Sequence, residues 1–221
     1  MSRPDDLDQK LLSAIDRLGA ALRVSRQGLA TDHNLTSLQV LIVEALSETG
    51  SRGVRIGSLA AEVGVSSPTV SDAVSSLVQK RLAHRAPDPI DGRATLLSLT
   101  RQGRNVASSI DRGFAPIHAA AAAWDAAGRG AALTLMLESI ASLHRAGVIT
   151  IDRSCMTCHH FEPGRGGHAA RCRLLGLDLR PADLRVRCPE HADAAIIEHD
   201  VVPSDTEPLP AGAGDADRPL P

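Results

Sequence analysis

Leu59-Ala60-Ala61-Glu62-Val63-Gly64-Val65-Ser66, together with Asp91-Gly92-Arg93 and, five residues later, Leu99-Thr100, is the stretch that decides the fold. Its first part reads as a short helix of small apolar residues ended by Gly64, which takes a left-handed turn without steric cost. Ser66 is a good N-cap for a second helix, and Pro68 falls in the first turn, where no amide partner is lost. Val70, Val74 and Leu77 recur at helical spacing as one buried stripe. Pro68, Thr69, Asp72, Ser75, Ser76 and Gln79 then face outward. A short polar face without large apolar side chains suits a helix that enters a DNA major groove and meets base edges; a plainly solvated face is the alternative. Residues 82–86 and 94–99 read as two strands joined by the turn-rich Pro87-Asp88-Pro89-Ile90-Asp91-Gly92-Arg93, a hairpin wing. Arg93 at its tip suits the negative potential of a narrow minor groove, and Asp91 is expected to orient it through a bidentate pair. Helix, turn, helix and wing in this order make residues 54–100 one DNA-binding module.

The segment resembles the multiple antibiotic resistance regulator (MarR) family of bacterial transcription regulators, over residues 5–147. The likeness rests on residues 38–46 as the helix before the motif, on 59–77 as its two helices, and on the wing pattern Asp91-x-Arg93-x5-Leu99-Thr100, which Gly103 continues. It implies a homodimer that binds a pseudo-palindromic operator in double-stranded DNA, usually as a repressor released by a small-molecule effector or by thiol chemistry. It also implies that Arg93 is the wing arginine and that Ser67, Thr69, Asp72 and Ser76 lie where the recognition helix contacts DNA. Ser66, Pro68 and Ser75 complete the candidate DNA-facing set. One departure bears on base preference: the recognition helix carries an acid, Asp72, and no arginine before Arg81.

A formal net charge of −2 looks wrong for a DNA binder until it is divided along the chain. Residues 52–104 hold eight Lys or Arg against four Asp or Glu, a surplus of four positive charges. Residues 200–221 hold one arginine against five acids and mask that surplus in the total. Exposed charges act over about 10 Å, so the local figure governs attraction to phosphates. The N-terminus has no signal-peptide pattern, and the alanine-rich run near Ala119 is interrupted by Asp125 and Arg129. A cytoplasmic protein without membrane contact is expected.

Outside the module the chain reads as helical. Leu7, Leu11, Ile15, Leu18 and Leu22 step by three and four along residues 5–29. After the wing, residues 101–124 carry Val106, Ile110, Phe114 and Ile117 on one expected helix, and residues 130–145 carry Leu133, Leu137, Ile140 and Leu143 on another. Neither terminal element buries its stripe alone, so N- and C-terminal helices forming a dimer interface are expected, with packing within the chain as the alternative. Phe114 and Trp124 are candidates to line a ligand cleft, although isolated aromatics on helices are more often core.

All four cysteines fall after residue 150, as Cys155-x2-Cys158, Cys172 and Cys188, beside five of the nine histidines. Cys155 and Cys158 form a knuckle that presents two thiolates to one ion, and Cys172 with Cys188 completes a four-thiolate set; His191 is an alternative ligand. Tetrahedral zinc suits this set and is placed slightly ahead of an iron–sulfur cluster. The spacing of two, thirteen and fifteen residues is similar to that of high-potential iron–sulfur proteins, and a proline after the last cysteine also occurs in ferredoxin cluster motifs. Two disulfides or a reversible thiol switch are the remaining readings.

The expected protein is therefore mainly α with a small β wing. Residues 1–147 form a winged helix-turn-helix with N- and C-terminal dimerisation helices, residues 150–198 a cysteine-rich metal-binding appendage, and residues 199–221 a disordered, acidic, proline-rich tail. The expected function is sequence-specific DNA binding in transcription regulation, not enzymatic. Two alternatives from other classes are a thiol–disulfide redox protein built on Cys155 and Cys158, and a winged-helix interaction module without DNA contact.

Overall fold

A computed structural model of the protein describes residues 4–50, 53–164 and 169–194. The expected acidic tail, His168 and His199 lie outside the described residues. Helix α1 (Pro4–Asp32) leads into α2 (Ser37–Thr49), whose N-cap Thr36 accepts a bond from the Gln39 amide while the Gln39 side chain accepts from the Thr36 amide. Strand β1 (Val54–Arg55), α3 (Ile56–Val63), α4 (Ser67–Gln79), β2 (Ala83–Pro87) and β3 (Thr95–Leu99) follow, and the sheet order is β1-β3-β2. The sequence reading missed β1, which is too short to show a period of two; Val54 pairs with Leu97 and anchors the start of α3 to the wing.

The apolar stripes converge on one core. Ile42, Leu46, Leu59, Val70, Val74, Leu77, Leu97 and Ile110 are fully buried there. Each such side chain contributes about 1.5–3 kcal/mol relative to exposure, which is what holds helices as short as α3 in place.

Two expectations about the helices after the wing need correction. The stretch 101–124 is not one helix: α5 (Arg101–Gly113) stops at Phe114, and α6 (Ala115–Ala122) begins anew. Pro116, in the first turn of α6, has no amide to bond backward, and its ring opposes continuation of the preceding turn. The following helix, α7 (Ala126–Arg145), begins earlier than its apolar period suggested, because Asp125 caps it through the Gly128 amide at 2.6 Å.

Most of the α7 stripe is covered by the chain itself, while Leu143 at its end stays exposed. Leu137 is buried against Cys155 and Leu184, with Leu133, Ile140, Met156, Phe161 and Leu179 packed around them. The segment that covers it is built from a 3-10 turn (Cys155–Thr157), an antiparallel sheet of β4 (Phe161–Glu162), β5 (Ala170–Cys172) and β6 (Leu177–Leu179), and a second 3-10 turn (Pro181–Asp183). Gly130 lets Pro181 approach α7; a Cβ there would stand 3.0 Å from the proline. This antiparallel arrangement differs from the βαβ pattern of thiol oxidoreductases.

The first half of α1 is the opposite case. Leu7, Leu11, Ile15 and Leu18 are 54–62% exposed, so the stripe read from the sequence faces away from the described chain. Nearer its C-terminus α1 is held by Arg26, which pairs with Glu44 of α2 at 2.9 Å and lies over the Phe114 ring. Among the described residues, no helix is long and apolar enough to cross a membrane.

Candidate nucleic-acid interface

The helix-turn-helix is assembled by local chemistry. Gly64 ends α3 in the left-handed conformation (φ 72°) and donates its amide to the Ala60 and Ala61 carbonyls. Two residues later the Ser66 hydroxyl accepts from the Thr69 amide and bonds the Thr69 hydroxyl at 2.8 Å. Ser66, Ser67, Pro68, Thr69 and Asp72 are all exposed along the first turns of α4, while Val70, Val74 and Leu77 are buried beneath them. The helix thus presents the polar face expected of it, with the Thr69 hydroxyl already oriented by its cap.

Ser75 and Ser76 are half-buried, and Ser75 does not simply face outward. Its hydroxyl donates to the Ser71 carbonyl at 2.8 Å and accepts from the Arg85 guanidinium at 2.9 Å. Arg85 was missed as a candidate. It stands on β2 opposite Leu97, on the strand face turned to α4, so a cation reaches the recognition helix although α4 itself carries none. The signal was the two-residue period of β2, in which Arg85 shares a face with the buried Ala83.

The wing is fastened differently from expectation. The expected pair between the Asp91 carboxylate and the Arg93 guanidinium is absent; Asp91 instead accepts the Arg93 backbone amide at 3.2 Å and lies 3.7 Å from Arg55. An Asp two residues before a turn amide satisfies it most cheaply by this local bond. The stronger fastening is at Asp88, which accepts the Ile90 amide at 2.9 Å and the Arg55 Nε and Nη2 at 3.0 and 2.6 Å. The Ile90 amide, and after it the Arg55 guanidinium, hold the Asp88 carboxyl below the usual carboxylate range. Arg93 is exposed at the tip, and its guanidinium has no ion pair among the described residues.

The motif residues after the wing are structural. Thr100 caps α5 by accepting the Gly103 amide at 3.0 Å and donates to the Arg81 carbonyl at 2.7 Å. Gly103 packs directly on the Leu82 carbonyl, where a Cβ would collide with backbone.

Two further sites lie away from this face. Leu22, Arg26, Glu44, Phe114, Ile117 and His118 line a cleft between α1, α2, α5 and α6. Trp124 is half-exposed and does not line it. The second site gathers Cys155, Cys158, Cys172 and Cys188 around one cavity of about 390 Å³, with all four thiols free. The knuckle closes through the Cys158 amide on the Cys155 carbonyl, Cys172 ends β5 opposite Phe161, and the Cys188 amide bonds the Arg153 carbonyl. Burial raises the Cys155 thiol above its usual pKa, the Arg185 amide opposes that, and the other three cysteines add to the rise. His191 does not join them: its Nε2 lies 3.0 Å from the Thr157 hydroxyl. Among the described residues, no three Cys, His, Asp or Glu side chains are gathered tightly enough to share one metal ion.

Arg187, the neighbour of Cys188, joins this segment to the DNA-binding module through Glu48 of α2 at 2.5 Å and Glu62 of α3 at 3.0 Å.

Comparison with known proteins agrees with this geometry. Residues 33–94 match the model of the MarR family. An uncharacterized HTH-type transcriptional regulator of Mycobacterium bovis is 30% identical over 107 residues, which span 48% of this chain and 74% of that protein. An HTH-type transcriptional regulator of Mycobacterium tuberculosis matches to the same extent. Among solved structures, a MarR family transcription regulator superposes with a TM-score of 0.55 at 17% identity, covering 65% of this chain and 94% of that one. CouR from Rhodococcus jostii, bound to p-coumaroyl-CoA, gives 0.51 at 21% identity, covering 61% and 94%. At these identities the superpositions speak for the fold.

Proposed function

Because the chain belongs to the MarR family of helix-turn-helix transcriptional regulators, we propose that it acts in the cytoplasm as a homodimeric repressor, laying α4 of each subunit in the major groove of a pseudo-palindromic operator and Arg93 of each wing in the adjoining minor groove. The observation that carries this reading is the exposed polar face of Ser67, Pro68, Thr69 and Asp72, flanked by Arg85 and by an Arg93 without an ion pair among the described residues. Phosphate attraction comes from the positive surplus of residues 52–104. Two half-sites about one helical turn apart require two copies, and the uncovered stripe of α1 supplies an apolar face for pairing them. A small-molecule effector is assigned to the cleft beside Phe114, which the paired Arg26 and Glu44 line together with Leu22 and Ile117.

Arg93→Ala tests the wing. Operator binding in a gel-shift titration should weaken by about 1–3 kcal/mol, with dimer and thermal stability unchanged. Full affinity would remove Arg93 from the interface. Asp72→Ala tests the reading face: it should change the consensus selected from random duplex DNA, because an exposed acid on α4 rejects acceptor-rich base edges and favours a cytosine amine. The same consensus for variant and parent would contradict that role.

A further inference from the structure

We infer that the cysteine cavity holds a [4Fe–4S] cluster rather than a single zinc ion. From sequence spacing alone zinc stood slightly ahead; size, lining and donor set point the other way. One zinc with Zn–S bonds of about 2.3 Å draws four sulfurs to about 3.8 Å from one another in a tetrahedron. The four cysteines here line a common space of about 390 Å³, far more than one ion occupies. A cluster core puts iron and sulfide inside such a space and is ligated from its corners, one thiolate to each iron.

The wall fits that occupant. Phe161, Leu175, Leu177 and Leu179 form its apolar part, Leu175 and Leu177 being about half-exposed, and the two carboxylates that also line it, Asp178 and Asp183, are paired with Arg171 and Arg180. Four thiolates outweigh the positive charge of the core, and the wall supplies donors against the excess. The Arg185 amide donates to Cys155 Sγ at 3.3 Å, and Arg185 Nη1 reaches Cys188 Sγ at 3.8 Å. Hydrogen bonds to the sulfurs and a nearby cation are the means by which proteins stabilise such a group. With His191 turned to Thr157, the ligand set is Cys155, Cys158, Cys172 and Cys188.

The test uses the full chain, purified without oxygen and analysed for iron, acid-labile sulfide and zinc. The expected result is brown protein with about four irons and four sulfides per chain, giving a paramagnetic resonance signal after one-electron reduction by dithionite. Cys172→Ser should lose at least about half of that iron. About one zinc per chain without sulfide, a metal-free chain, or full iron retention in Cys172→Ser would overturn the inference. The metal content of the unsubstituted protein decides the matter even if the variant misfolds, and it decides independently of DNA binding.

Discussion

Gly103→Ala is expected to destabilise the winged helix by at least about 3 kcal/mol and to leave little folded protein at physiological temperature. Surface glycine-to-alanine changes in helices are usually mildly stabilising, because the unfolded chain loses freedom. Here the new methyl group meets the Leu82 carbonyl, a backbone atom that cannot rotate away. Leu82 is itself fastened: its amide bonds the Leu77 carbonyl, and its carbonyl accepts the Thr100 amide at 3.0 Å. Relieving the clash must therefore move α5 away from the start of β2 or break the Thr100 cap. Overpacking usually costs about 1–3 kcal/mol when side chains absorb it, and more when backbone must shift. Urea unfolding of parent and variant measures the difference; a loss below about 1 kcal/mol would show that α5 slides freely.

The second large effect is expected from charging the exposed stripe of α1. If the proposed dimer pairs through this stripe, Leu11→Asp together with Ile15→Asp should give monomers and weaken operator binding at least about a hundredfold. Both residues are more than half exposed in the single chain, so the change should leave the subunit fold intact. Apolar burial at an interface is worth about 1.5–3 kcal/mol for each such side chain, and a two-fold interface loses each of them twice. Once the subunits separate, each winged helix meets its half-site alone and forfeits the effective concentration supplied by the linked partner, typically a factor of about 100–10,000. Light scattering and gel-shift titration read the two effects separately. A double variant that remains dimeric would move the interface elsewhere, with the exposed face of α7, where Leu135 and Met136 stand, as the next place to examine.

Much of the DNA-binding module was legible because its signals are local. Ser66 and Pro68 act within the first turn of α4, Gly64 within the last turn of α3, and Val70, Val74 and Leu77 share a face simply because the helix repeats every 3.6 residues. The break at Phe114 was written in Pro116, but an apolar period running from Val106 to Ile117 concealed it, and the start of α7 was written in Asp125, well ahead of the first apolar position of its period at Leu133. The α1 stripe was read as apolar from spacing alone, and the structure adds that its own chain leaves it uncovered.

Sequence by itself determined the helix-turn-helix, the wing and the four cysteines as one group, since each rests on residue type and spacing over one or two elements. Tertiary structure alone decided who meets whom across the chain. Asp88 is held by Arg55, 33 positions earlier, and that pairing leaves Asp91 to shape the turn rather than steer Arg93. Arg85 reaches α4 only because β2 folds back beside it. The stripe of α7 carries no mark that says whether a second copy or residues 150–190 will cover it; the short β4–β6 sheet and Pro181 closing on Gly130 settle that. Cysteine spacing likewise groups the four cysteines but does not fix the width of the space between them, in whose wall Phe161, Leu175 and Leu177 stand. The physical reason is common to all four: long-range contacts are chosen by shape and burial over the whole chain, and no local propensity encodes them.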